Sequence, residues 1–316
     1  MKAVAILAVL WIHSMRAPWE PGVTTVEIWL GYVALFAVPT FLFCSGYLDA
    51  SGWPARDVRA AMAGTRARLA RLLVPYLVAS CAAELFKVAS GTAITPTSVL
   101  WDLLLACAFG PFYYVLIAVE LALARPLIRC LGPRLLVALT AAAFAAQVAI
   151  ELFGFMPSSI FWLLRNPLMW LPYYLAGWIV RAYAPSIRSH LPAKRSRLAW
   201  LLLASAVGLS SAGAALSARP LGVAAVYVWI TLLYVVFSAA PRLPRLVTRI
   251  GDASYFFYLF HLFFIYAAQM LLARYGVGPT LATEVVYWAV AALGCVVLAS
   301  ALKAALGASA RRILGI

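Results

Sequence analysis

Residues 1–15, MKAVAILAVLWIHSM, decide how the rest of the chain is read, because they set one cation, Lys2, and one imidazole, His13, into an otherwise apolar run. The two residues are eleven positions apart. At 100° per residue this is about three helical turns plus 20°, so both side chains share one helix face, separated by roughly 16 Å of axial rise. Such a face suits a long anionic ligand, held by its tail at a membrane surface while its other end reaches a titratable group inside. The plainer alternative is a snorkelling lysine and an interior histidine with a satisfied hydrogen bond.

The composition places this helix in a membrane. Of 316 residues, 66% are hydrophobic and only 11% charged, far from the charge content of a soluble domain. A net charge of +15 invites a nucleic-acid reading. The basic residues are instead dispersed between apolar runs, where they set topology and meet anionic lipid, so nucleic acid is excluded as a partner. Cys44, Cys81, Cys107, Cys130 and Cys295 are scattered singly, without metal-ligand spacing, and read as small core residues with no metal. No small-residue cleavage site follows the first apolar run, so a removable signal peptide is not expected.

Ten apolar stretches can be marked, near residues 3–16, 28–49, 70–89, 110–128, 134–153, 167–183, 198–216, 221–239, 253–273 and 282–306. The first, near 14 residues, is short for a span, which puts its true start upstream of Met1 or completes it with poorly apolar flanks. Alternate connections hold very different numbers of basic residues. One set (Lys2; Arg56 to Arg71; Arg125 to Arg134; Arg181 to Arg197; Arg242 to Arg249; Lys303 to Arg312) carries 20 of the 25, and the other only Arg16, Lys87, Arg165, Arg219 and Arg274. Basic loops stay in the cytoplasm, so the expectation is an all-α integral membrane protein, a bundle of about ten transmembrane helices with both termini cytoplasmic. It reads as a single domain over 1–316, because no connection is long enough to add a soluble domain. TSVLWDLLLACAFG, at 97–110, is expected to lie along the outer interface or re-enter the membrane. No internal repeat is visible, which weakens a transporter reading.

Ionisable residues at membrane depth are rare enough that each is a functional candidate. Four are read this way: His13, Glu84, Glu120 and His261. Glu84 lies beside Lys87 as a pair on the rim. Glu120 is deeper and can orient a histidine or pair with a neighbouring cation. His261 lies twelve residues beyond Arg249, a depth like that of His13 beyond Lys2, so both histidines can face one cavity. Asp252 and Ser254 read as the cap of the ninth span. In TRARLARLLVPY, Arg68 and Arg71 share a face at the start of span three, where guanidinium groups grip phosphates or simply anchor the helix. In PTFLFCSGYLDA, Ser45 and Gly46 permit close helix approach, and Tyr47 brings a hydroxyl to the inner end of span two, more for packing than for catalysis.

Together these pieces resemble the membrane acyltransferase family 3. KAVAILAVLWIHS is similar to its opening signature of a basic residue, ten intervening residues and a histidine, here Lys2 and His13. PTFLFCSGYL resembles its FFxLSGY element, and RARLARLLVPY its arginine-rich entry to span three. FYYVLIAVELALARPLI resembles its WFLxxLLxxYLLxPLL span, with Phe112, Tyr113 and Tyr114 where Trp-Phe is common, and GDASYFFYLFH resembles its SYxIYLxH element. The resemblance implies transfer of an acyl group, usually acetyl from acetyl-CoA, onto a hydroxyl of a sugar or other acceptor, such as a lipid-linked glycan. It implies His13 as catalytic base or acyl relay, Lys2, Arg68 and Arg71 as contacts for the acyl-CoA phosphates, and a role for His261. Glu120 would then orient the imidazole, and Tyr47 would donate to the developing oxyanion. No permanently bound cofactor is expected, acyl-CoA being a substrate. The expected setting is the lipid bilayer of a bacterial inner membrane, crossed many times. The competing function is a transporter or flippase for a lipid-linked sugar or anionic solute.

Overall fold

In a computed structural model the chain is described at residues 1–153, 160–191, 195–240 and 243–316, and it is helical throughout these residues, with no strand among them. Lys194 and Arg242, two of the basic residues used to orient the chain, lie outside the described residues. The helices are α1 (Lys2–Ser14), α2 (Thr25–Ala34), α3 (Ala37–Asp49), α4 (Val58–Met62), α5 (Thr65–Ala89), α6 (Pro96–Leu104), α7 (Tyr113–Cys130), α8 (Pro133–Phe153), α9 (Ile160–Leu164), α10 (Leu171–Ala182), α11 (Ala184–His190), α12 (Arg195–Leu216), α13 (Arg219–Ala239), α14 (Arg245–Asp252), α15 (Ser254–Arg274), α16 (Leu281–Leu306) and α17 (Ser309–Ile313).

Eight helical stretches among the described residues are long and apolar enough to cross a membrane: α2 with α3, α4 with α5, α7 with its preceding turn, α8, α12, α13, α15 and α16. The other two expected spans form shorter helices, α1 of 13 residues and α10 of 12. The molecule is therefore a bundle of membrane-type helices, with its apolar side chains facing outward as well as inward. Leu127 is 73% and Leu293 67% exposed, while Trp178, Tyr174 and Phe256 are fully enclosed. Lipid-facing leucines carry no penalty, because hydrocarbon is as apolar as the side chain.

The span read as 28–49 is two helices meeting at Leu35 and Phe36. Pro39 supplies the reason: it has no N–H to give the Leu35 carbonyl, and its ring crowds that turn. Pro75 lies inside the continuous helix α5, where it has no N–H for the Arg71 carbonyl, and nearby Tyr255 Oη donates to the Leu72 carbonyl at 2.7 Å. Where α3 crosses α10 the backbones nearly touch. A Cβ on Gly46 would stand 1.9 Å from the Tyr174 carbonyl oxygen, and one on Gly177 2.1 Å from that of Phe43. Gly46 thus does what the sequence suggested.

Asp252 and Ser254 do not cap the ninth span. Asp252 ends the short helix α14, α15 follows directly, and the joint residue Ala253 receives no side-chain cap. The 97–110 segment holds α6, none of whose residues is buried, with Trp101 and Leu104 more than half exposed. It is tied to α5 by Tyr76 Oη donating to the Leu103 carbonyl at 2.7 Å.

The helix directions bring the basic connections to one end. Arg125 Nη1 donates to the Ala63 carbonyl at 3.1 Å, Arg129 Nη2 to that of Gly52 at 3.3 Å, and Gly251 of α14 abuts Ala3. Arg16, Lys87, Arg165 and Arg219 gather with most of the acidic residues at the other end.

Candidate active site

The two histidines meet. The rings of His13, in the last turn of α1, and His261, in the second turn of α15, have centroids 5.2 Å apart and planes tilted by 42°. His261 is 1% exposed, whereas His13 is partly open. His261 Nδ1 lies 2.8 Å from the Tyr258 carbonyl and 3.1 Å from that of Phe257. Carbonyl oxygens only accept, so this nitrogen carries the proton. The lone pair is therefore on Nε2, which is buried and has no hydrogen-bond partner among the described residues. A buried nitrogen with a free lone pair is open to a hydrogen-bond donor. The hydroxyl of Tyr258 is also buried and without a hydrogen-bond partner among the described residues, and its ring centroid is 6.2 Å from that of His261.

Lys2 begins α1 at the basic end, where it lines a pocket of about 340 Å³ with Met1, Cys44, Tyr47, Tyr234 and Ser238. That is at the lower end of the roughly 300–1,000 Å³ typical of small-ligand sites. Tyr47 belongs to this pocket, and Arg181 donates to its hydroxyl at 3.4 Å while lying 5.2 Å above its ring. It is thus at the Lys2 end of α1, three turns from His13, which separates it from an oxyanion near the imidazoles. α3 runs antiparallel to α1, so its last turn meets the first turn of α1. Tyr258 is a tyrosine whose ring lies beside that of His261.

Glu120 does not join the histidines. It sits at the edge of the buried face of α7, on the side of Leu123 and Leu127, which are 57% and 73% exposed, and it forms no hydrogen bond or ion pair with His13 or His261. Arg68 and Arg71 also part company. Arg68 Nη1 donates to Asp49 Oδ1 at 2.7 Å, while Arg71 is exposed. Asp49, 6% exposed, accepts further from Tyr174 Oη at 2.9 Å and faces Arg125 Nε at 3.3 Å. Glu84 is buried rather than solvated, and Lys87 bridges it to Asp102 at 2.8 and 2.7 Å.

The reading of the sequence missed Glu27 and Glu284. Both are fully buried, and Arg16 Nε donates to them at 3.1 and 3.2 Å, just beyond the end of α1. The hydrogen bond to Glu27 raises the Arg16 guanidinium above its ordinary value, with burial opposing. The Arg16 backbone N–H also donates to Glu284 Oε1 at 3.0 Å, so α2 and α16 jointly fix the chain three residues after His13. Thr24-x-x-Glu27 reads from sequence as a capping box, and it is one, which conceals that the same carboxylate is half of a buried ionic triad. Among the described residues no group of three His, Cys, Asp or Glu side chains is arranged to hold a metal ion.

The membrane-type bundle agrees with the comparison to family models. A model described as an acyltransferase domain matches residues 1–304. No characterised protein and no solved structure matches the chain. With nearly the whole chain matched, the protein belongs to the acyltransferase 3 family and is a membrane acyltransferase.

Proposed function

We propose that this protein moves an acyl group, acetyl in the simplest case, from acyl-CoA to a hydroxyl of a sugar or another exported acceptor, with His13 and His261 at the reacting atoms. The observation that carries this reading is the pairing of the two rings, with His261 Nε2 open and His13 accessible. A neutral imidazole takes the proton from the acceptor hydroxyl as its oxygen attacks the thioester carbonyl. The C–S bond then breaks, the thiolate leaves, and the imidazolium returns the proton to sulfur. An acyl-imidazole formed first on His13 gives the same balance in two steps. The Tyr258 hydroxyl is the donor for the oxygen that becomes negative in between.

Lys2 serves the other end of the donor. Coenzyme A is a polyanion with a long flexible arm, and a cation at the basic end with a base roughly 16 Å along the same helix matches that shape. The positive-inside rule supports a cytoplasmic basic end, and so a cytoplasmic donor, and a bacterial inner membrane is the setting proposed with it.

The test is acyl transfer by purified protein in proteoliposomes supplied with radiolabelled acetyl-CoA and an extract of cell-envelope glycans. The expected product is a labelled ester released by mild alkali. Uptake of intact label or glycan without ester formation would instead establish the transporter reading.

A further inference from the structure

At the basic end, on the flank of α3 opposite the Lys2 pocket, three guanidinium groups surround a single carboxylate. Arg68 comes from α5, and Arg125 and Arg129 lie one turn apart on α7, so they share a helix face. The carboxylate is Asp49, bound by Arg68 and Tyr174 and approached by Arg125. Arg129 has one donor on the Gly52 carbonyl, and Arg125 has one on that of Ala63. These contacts leave much of the donor capacity unused, because each guanidinium carries five N–H groups. Among the described residues the buried Nε–H groups of Arg68 and Arg129 have no hydrogen-bond partner, and that of Arg125 has only the ion-pair contact of 3.3 Å to Asp49. Three cations against one anion also leave the cluster two positive charges in excess. Side-chain exposures of 19% for Arg68 and 12% for Arg125 keep it within reach of the aqueous end.

We propose that Arg68, Arg125 and Arg129 form a binding site for a phosphate group, with Asp49 as the built-in counter-ion that holds the empty site together. Planar forked donors match phosphate oxygens in bidentate fashion, and a buried N–H that finds no protein acceptor is satisfied by such an oxygen. In the resting protein Asp49 occupies one side of the cluster, and an incoming phosphate competes with it for Arg68 and Arg125. A purely structural ion pair would show no such competition. Two sources carry this chemistry, the phosphates of the acyl-CoA donor and the phosphodiester of an anionic lipid headgroup. The assignment to the donor rests on the acyltransfer reading above, whereas the phosphate site itself does not.

The experiment is a set of binding titrations on purified full-length protein, with inorganic pyrophosphate, coenzyme A and 3′-dephospho-coenzyme A as probes. Thermal stability in phosphatidylglycerol against phosphatidylcholine nanodiscs reports the lipid arm. Arg125→Gln and Arg129→Gln are each expected to weaken pyrophosphate binding about tenfold, as for loss of one charged hydrogen bond. Asp49→Asn, which removes the competing charge and keeps a partner for Tyr174, is expected to tighten binding by a similar factor. Because the Asp49 variant must gain affinity, a general loss of folding cannot imitate the result. Coenzyme A binding that falls with the Arg variants gives the site to the donor. Phosphatidylglycerol stabilisation that falls with them, at unchanged coenzyme A affinity, gives it to lipid. If neither pyrophosphate, coenzyme A nor phosphatidylglycerol responds to Arg125→Gln and Arg129→Gln, or if Asp49→Asn weakens binding, the proposal is overturned. Failure of acyl transfer with pyrophosphate binding intact would instead sink the reading of the reaction and leave the phosphate site standing.

Discussion

His261 is set by its own helix, since the carbonyls of Phe257 and Tyr258 fix which nitrogen holds the proton. His13 has no such anchor and stands in a helix whose end is tied to α16 through Arg16 and Glu284. In the proposed mechanism His261 therefore presents a lone pair of fixed direction on Nε2, whereas the tautomer of His13 is left open. His261→Ala is therefore expected to lower kcat by about 100-fold, as for loss of an acid–base partner, with the KM for acetyl-CoA little changed. Steady-state kinetics over both parameters checks this, and an equal rise in KM would make His261 part of the donor site. Lys2 has the opposite signature. Lys2→Ala should raise the KM for acetyl-CoA at nearly constant kcat, and Lys2→Arg should largely restore it. At this scale the sequence was legible where a polar residue stood alone in an apolar run, as with His13 and His261. It was not legible for Asp49, Glu27 and Glu284. These lie at helix ends, where a carboxylate is ordinarily a cap or a solvated rim, and only the partners brought by other helices distinguish them.

Helices pack here through a few close approaches that one residue type permits. At the α3–α10 crossing the methyl of Gly46→Ala would meet the Tyr174 carbonyl, which is backbone and has no rotamer by which to withdraw. The helices must separate, so Gly46→Ala is expected to destabilise by about 3 kcal/mol or more, at the upper end of overpacking penalties. Thermal unfolding in detergent measures the effect. Because Tyr174 holds Asp49 and Tyr47 lies one residue beyond Gly46, acetyl-CoA affinity should fall in the same variant. Helix positions were readable from apolar length, and ten stretches were marked where helices occur. Their internal structure was less readable. The break before α3 depends on what Pro39 denies Leu35, and Asp252 reads as part of a cap because α14, an eight-residue polar helix, has no apolar length to announce it.

Across the whole molecule the strongest organisation is electrical. Lys2, Arg68, Arg125, Arg129 and Arg181 share one end, and the buried carboxylates Glu27, Glu84 and Glu284 lie at the other with Arg16 and Lys87. This was plain from alternate loops in the sequence, since charge bias needs only the order of spans. The orientation it implies can be checked by membrane-impermeant thiol labelling of intact cells in a cysteine-free background. Gly278→Cys, in the connection before α16, should label from outside, and Arg245→Cys only after the cells are opened. The reverse pattern would put donor and acceptor on exchanged sides. The same axis runs from Lys2 at the basic end to the imidazole pair farther in, where the proposed mechanism brings acyl donor and acceptor together. The most direct measurement is the rate of acyl transfer from radiolabelled acetyl-CoA by His13→Ala in proteoliposomes, at a donor concentration well above KM. A fall of at least about 100-fold with donor binding retained is expected, and a rate close to that of the unaltered protein would rule out His13 as the catalytic base or acyl relay.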